Sequence, residues 1–218
     1  MSQPPKKILQ ILFLFLQVHI HLILAQEYTC PVAAAQDPSI DDVPSILHAF
    51  EDCNQHAGGR AIFTNTTYHI NSILDTQGLR DITIEIHGRL LWSPNTTYWL
   101  TNSLPVGYQN QSTAWILGGT NVRVDGFGYG TIDGNGQVWY DFVKGESNYP
   151  RRPHGVTFRG LNGSVVTGLR FVGSQMWWVF LFFIFWGRGR GLLGFGDLAE
   201  GGMGVWGFDI MWRMEWGG

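Results

Sequence analysis

Acid–base catalysis by side chains needs two ionisable groups held close together, one to give a proton and one to take it. The chain offers one adjacent carboxylate pair, Asp41-Asp42, directly before Val43-Pro44-Ser45-Ile46. That is where an aspartate caps a helix and where proline is tolerated in the first turn. Asp133 and Asp141 lie in and just after the run Gly126-Phe127-Gly128-Tyr129-Gly130-Thr131-Ile132-Asp133-Gly134-Asn135-Gly136. Glycine there alternates with β-favouring residues and then gives way to Asp-Gly and Asn-Gly, so these carboxylates read as turn-fixing groups. Arg151 and Arg152, in Tyr149-Pro150-Arg151-Arg152-Pro153-His154, suggest a different chemistry. A guanidinium is a planar fork that matches a carboxylate, so the segment is a candidate for holding an acidic ligand. The other reading, and the one the pattern favours, is a solvated turn stiffened by two prolines. Net charge is -3, and charged residues make up 14% of the chain, so there is no basic footprint for nucleic acid.

The elements that must position these groups begin with a helix. Val43, Ile46, Leu47, Phe50 and Cys53 form one apolar stripe, and Gly58-Gly59 ends it. From Arg60 the pattern changes to short strands. Asp81-Ile82-Thr83-Ile84-Glu85-Ile86 alternates cleanly; Asn121-Val122-Arg123-Val124-Asp125 and Gly163-Ser164-Val165-Val166-Thr167 repeat the design. The intervals between these runs correspond to two coils each if a coil takes roughly 20–30 residues. In such a stack the helix would shield the open end, where strand edges and core are otherwise bare. A sandwich or barrel would also use many short strands, and periodicity alone does not choose. Asn95 to Gln111 and Tyr149 to His154 read as exposed insertions between coils.

Residues 1–25 read as a secretory leader: Lys6 and Lys7, a mostly apolar run from Ile8 to Leu24, then Ala25 before Gln26. In an oxidising compartment Cys30 and Cys53 can pair and pin the mature N-terminus to the first helix; two separate thiols are the alternative. Asn65, Asn95, Asn110 and Asn162 each begin an Asn-x-Ser/Thr acceptor sequence for N-glycosylation.

The run Gly130-Thr131-Ile132-Asp133-Gly134-Asn135-Gly136-Gln137-Val138-Trp139-Tyr140-Asp141 resembles the early signature of family 28 glycoside hydrolases, the polygalacturonases and rhamnogalacturonan hydrolases. Leu91-Trp92-Ser93, Tyr98-Trp99-Leu100, Trp115-Ile116 and Arg152-Pro153-His154 are similar to the fungal exo-acting branch. The resemblance runs from Gln26 to Trp178. It implies an all-β fold, a right-handed parallel β-helix of the pectin-lyase-like kind, here as N-terminal coils with a capping helix. It further implies a secreted, extracellular, monomeric enzyme that hydrolyses α-1,4-galacturonosyl linkages of pectic polysaccharide. No metal or organic cofactor, no nucleic acid and, after leader cleavage, no membrane is implied. Arg151, Arg152 and His154 are the candidate substrate-binding residues. The competing class is a non-catalytic module that stacks sugars on Trp99, Trp115, Trp139 and Tyr140; a rhamnogalacturonan or xylogalacturonan hydrolase would share the same early coils.

Inverting hydrolysis needs two carboxyl groups roughly 6.5–9.5 Å apart across the bond. The family places these in Asn-Thr-Asp, Asp-Asp and Gly-His-Gly motifs, with an Arg-Ile-Lys segment for the substrate carboxylate. Asn-Thr-Asp, Gly-His-Gly and Arg-Ile-Lys are absent, and Asp41-Asp42 lies far too early. No catalytic residue is assigned, and the chain as written is expected to be inactive. From Val179 to Gly218 there is no Asn, Gln, Ser, Thr, Pro, His, Lys, Tyr or Cys. Loss of so many turn formers at one point is not how a coil stack continues. Residues 179–218 therefore read as an aberrant Gly/Trp-rich tail of low order, from a translated intron or a shifted frame.

Overall fold

The computed structural model describes Gln10, residues 27–107, 110–146 and 149–176, and strands at 179–182, 192–197 and 206–211. The leader at residues 1–25 and Tyr108 otherwise lie outside the described residues. In chain order the elements are β1 (Thr29–Pro31), α1 (Val43–Asn54), β2 (Arg60–Phe63), β3 (Thr67–Ile70), β4 (Leu74–Arg80), β5 (Thr83–Ile86) and β6 (Arg89–Trp92). Then come α2 (Thr96–Asn102), β7 (Leu104–Pro105), β8 (Ser112–Thr120), β9 (Arg123–Asp125), β10 (Thr131–Asp133), α3 (Gly136–Val143), β11 (His154–Arg159) and β12 (Val165–Val172). Three further strands follow: β13 (Val179–Phe182), β14 (Leu192–Asp197) and β15 (Trp206–Met211).

The strands stack as a parallel β-helix with three faces. One face runs β1-β2-β5-β9-β12, the second β3-β6-β10-β12, and the third β4-β8-β11-β13. The long strand β12 serves two faces: Val165 to Thr167 pair with β9, while Arg170 to Val172 pair with β10. Successive coils place like residues above one another, about 4.8 Å apart. Ala61, Ile84, Val124 and Val166 form one inward column, and Tyr68, Leu90, Ile132 and Phe171 a second; all are buried. Leu74, Trp115 and Val156 make the third. Burial of these columns is the main stabilising contribution.

Coil length differs from the sequence expectation. Arg60 pairs with Thr83, a repeat of 23 residues, but Thr83 pairs with Arg123 and Arg123 with Val165, repeats of 40 and 42. Each long interval is therefore one coil carrying an insertion, not two coils. The first insertion holds α2 and β7, which returns antiparallel against the start of β8. It is only partly exposed, since Trp99, Ser103 and Val106 are buried in it. The second holds α3, with Trp139 buried. The corners before the alternating runs carry Asp81 (φ 49°), Asn121 (φ 54°) and Gly163 (φ 59°), left-handed positions suited to these residue types. Asn121 Nδ2 donates to Asp81 Oδ1 at 2.8 Å, so consecutive corners are also tied to each other.

At the N-terminal end α1 packs on β1, β2 and β4, and a Cys30–Cys53 disulfide joins it to β1. Its buried face is Val43, Ile46, Ala49, Phe50 and Cys53; Leu47 is 38% exposed, because the helix turns Ala49 inward in its place. Asp42 occupies the N-cap position but makes no side-chain cap. Its two oxygens instead accept the Ala35 and His69 main-chain N–H groups, both at 2.7 Å. Asp41 takes the Val43 N–H at 3.1 Å and the Asn71 N–H at 2.9 Å, so the pair fastens the helix entrance to β3 and the loop after it. In the 179–218 stretch, β13 adds a parallel strand to β11, and β15 pairs antiparallel with both β12 and β14.

Close stacking leaves no room for a side chain at Gly130, where a Cβ would meet the Ile86 carbonyl oxygen at 1.9 Å. Gly130→Ala is expected to cost about 1–3 kcal/mol in urea unfolding. Gly155→Ala, with nothing within 4 Å of the added carbon, should stay within about 0.5 kcal/mol. Equal losses at the two positions would contradict the stacking shown.

Candidate functional site

Of the residues singled out for ligand contact, Arg152 and Tyr140 meet beside α3, next to Ser174 and Gln175. Gln137-Val138-Trp139-Tyr140-Asp141 forms most of α3, with Trp139 inward and Tyr140 38% exposed. The Tyr140 hydroxyl donates to the Ser174 carbonyl at 2.9 Å. Arg152, 6% exposed, donates from Nε to the Gln175 carbonyl, and its guanidinium carbon lies 5.8 Å from the Tyr140 ring centroid. Burial pushes the Arg152 guanidinium below its ordinary value, with Tyr140 opposing. Burial likewise raises the Tyr140 phenol, against the pull of Arg152.

The neighbours of Arg152 are used differently. Arg151 is exposed, yet its Nε and Nη2 donate to the Leu100 and Thr101 carbonyls at 2.6 and 3.0 Å, satisfying the C-terminal end of α2. His154 is fully buried, and its Nε2 contacts Gln111 Oε1. Of the three, then, Arg151 is at the surface but committed to the first insertion, and Arg152 and His154 face inward.

Carboxylates elsewhere are committed to structure. Asp133 Oδ1 accepts the Asn135 N–H at 2.8 Å, while Oδ2 takes Arg89 Nε and Nη2 at 3.0 and 2.5 Å. Asp141 accepts from Gln137 Nε2 at 2.8 Å. Both fix turns or helices, as their glycine-rich setting suggests. Among the described residues no group of three or more His, Cys, Asp or Glu converges to hold a metal ion.

The sugar-stacking alternative loses most of its platform. Trp99 and Trp115 and Trp139 are at most 1% exposed, because each fills the core beneath or between coils. Trp99 Nε1 donates to the Ser93 carbonyl at 3.0 Å, and Trp115 Nε1 to Thr76 Oγ1 at 2.8 Å. Only Tyr140 of the four named aromatics reaches solvent. A second exposed aromatic group went unnoticed in the sequence: Phe127 and Tyr129, 43% and 49% exposed. His87 stacks on Phe127 at 4.4 Å and meets the Tyr129 hydroxyl at 2.8 Å. The alternating glycines hid it, since they made these rings look half-buried. Asn65, Asn95, Asn110 and Asn162 are all exposed. No helix among the described residues is long and apolar enough to cross a membrane.

No family model matches the chain. It is 56% identical over 148 residues to an α-L-rhamnosidase of Aspergillus niger, covering 68% of this chain and 34% of that one. It is 37% identical over 158 residues to exopolygalacturonase X of Aspergillus niger, covering 72% and 35%. Among solved structures, the endo-xylogalacturonan hydrolase of Aspergillus tubingensis superposes with a TM-score of 0.51 at 30% identity, covering 65% of this chain and 36% of that one. The chain thus spans about a third of the length of the relatives it matches.

The Arg89–Asp133 pair joins β6 to β10 beside the glycine-rich corner. Asp133→Asn should lower stability by about 1 kcal/mol, because the buried Asp133 loses its charge-assisted bond while the half-exposed Arg89 regains water. Equilibrium urea unfolding measures it, and an unchanged midpoint would assign the pair no weight.

Proposed function

We propose, for a chain that over two thirds of its length is related to fungal family 28 glycoside hydrolases, that it supplies the N-terminal coils of a secreted hydrolase of pectic polysaccharide. The reaction in this reading is hydrolysis of α-1,4-galacturonosyl bonds from the non-reducing end, with inversion and without a metal. The observation that carries it is the parallel coil stack, aligned at 30% identity with the xylogalacturonan hydrolase structure. The leader at residues 1–25, the Cys30–Cys53 bridge and the four exposed acceptor asparagines support export.

Two carboxyl groups must face each other across the bond, one protonating the leaving oxygen and one activating water. Asp41, Asp42 and Asp133 already accept main-chain N–H groups, and Glu85 is held by Arg60. In this reading none of them is the acid or the base. The described coils form a scaffold and an outer binding margin, and the acid–base pair belongs to motifs that this sequence does not contain. A second reading, cleavage of α-L-rhamnosyl bonds, is favoured by the 56% identity to the α-L-rhamnosidase.

The 218-residue polypeptide is expected to release no reducing ends from polygalacturonate. A chimera with residues 27–176 in place of the matching third of Aspergillus niger exopolygalacturonase X should release them. Turnover by the polypeptide alone, or a folded chimera without activity, would overturn the assignment. Release of L-rhamnose from an aryl α-L-rhamnoside by the equivalent rhamnosidase chimera, with a dead exopolygalacturonase chimera, would select the second reading.

A further inference from the structure

The cation packed against α3, Arg152, has no ion-pair partner among the described residues. It is 6% exposed. Its partners there are the Gln175 carbonyl, through Nε, and the face of Tyr140. The two terminal amino groups, which carry four N–H donors, have no partner among the described residues, and neither is sealed from solvent. Burying a guanidinium without a counter-charge is costly unless something neutralises it. The burial that depresses its proton affinity, with no carboxylate offsetting it, agrees with that picture.

More unsatisfied polarity lies in the residues that Arg152 and Tyr140 hold. The Gln175 amide is fully buried, with neither its nitrogen nor its oxygen bonded among the described residues; the Ser174 hydroxyl is also unbonded. Tyr140, 38% exposed, offers a ring surface at the same place. A planar cationic fork at the foot of an exposed aromatic ring suits a ligand with a carboxylate on an otherwise stackable ring.

We propose that Arg152 and Tyr140 form a binding subsite for the carboxylate of a uronic acid residue in a polysaccharide chain, with the sugar ring against Tyr140. The proposal rests on the pectic reading of the substrate and adds a binding contact, separate from the acid–base machinery. A uronate carboxylate accepts from the free amino groups of Arg152, and the fork distinguishes the free acid from its methyl ester. Arg152 is a binding residue here, with no part in proton transfer.

Calorimetric titration of the full-length chain with trigalacturonate and with its methyl ester tests this. The free acid should bind at least about tenfold more tightly, as expected for a charge-assisted fork. Arg152→Lys, which keeps the charge and loses the fork, should weaken free-acid binding about fivefold or more and leave ester binding unchanged. Tyr140→Leu should weaken both. Equal affinity for acid and ester, no binding of either, or an Arg152→Lys chain that binds like the parent would overturn the proposal. The acid–ester comparison uses the unaltered chain, so it stands even if a variant fails to fold. Tight acid binding alongside a dead chimera would keep this subsite and remove the hydrolase reading; an active chimera indifferent to esterification would do the reverse.

Discussion

Everything in this molecule depends on the parallel register between coils. Each strand inside the stack exchanges main-chain hydrogen bonds with the strand above and below, which sets a spacing of about 4.8 Å and stacks residue upon residue. That spacing makes Ala61, Ile84, Val124 and Val166 a column. It also bars a side chain at Gly130 and lets Arg89 on one coil reach Asp133 on the next. A stack of this kind has two ends, each exposing strand edges and bare core. At the N-terminal end the edge is covered by α1, bridged to β1 through Cys30–Cys53 and fastened to the first coil by Asp41 and Asp42. At the far side β15 lies antiparallel along β12.

Much of the scaffold was legible in the sequence. The alternation of Ile82, Ile84 and Ile86 placed all three inside, and the stripe of α1 was right at four of its five positions. Asp81 and Asn121, which open alternating runs in the sequence, turn out to be left-handed corners, a backbone that short polar side chains tolerate. Coil count was not legible. A coil carrying an insertion has about the length of two plain coils, and length alone does not tell them apart. Asp42 was misread for a related reason: local pattern names the N-cap position, but its side chain serves the distant His69 and Ala35 amides instead. Trp99, Trp115 and Trp139 could have been surface or core by type; stacking between coils buries all three.

The site was legible as residue type and not as role. Arg151 and Arg152 are adjacent, yet one closes α2 through the Leu100 and Thr101 carbonyls and the other turns under Tyr140. The difference arises at Arg151, whose φ of 62° reverses the chain and sends the two side chains apart. Nothing in a dipeptide announces that. The uncompensated charge of Arg152 becomes visible once its neighbours Ser174 and Gln175, one coil later, are placed beside it.

The central claim is that residues 27–176 hold a cooperative stack of parallel coils, with the helix as its lid. Hydrogen exchange of the intact chain tests it most directly. The account predicts that amides of β5, β8, β9 and β11 exchange together, at the rate of global unfolding, because each is bonded on both sides. It predicts faster exchange over Thr96–Asn102, which lies in the first insertion outside the ladders. Exchange of the four strands at the rates of an unstructured chain, or independently of one another, would contradict the stack and every site built on it.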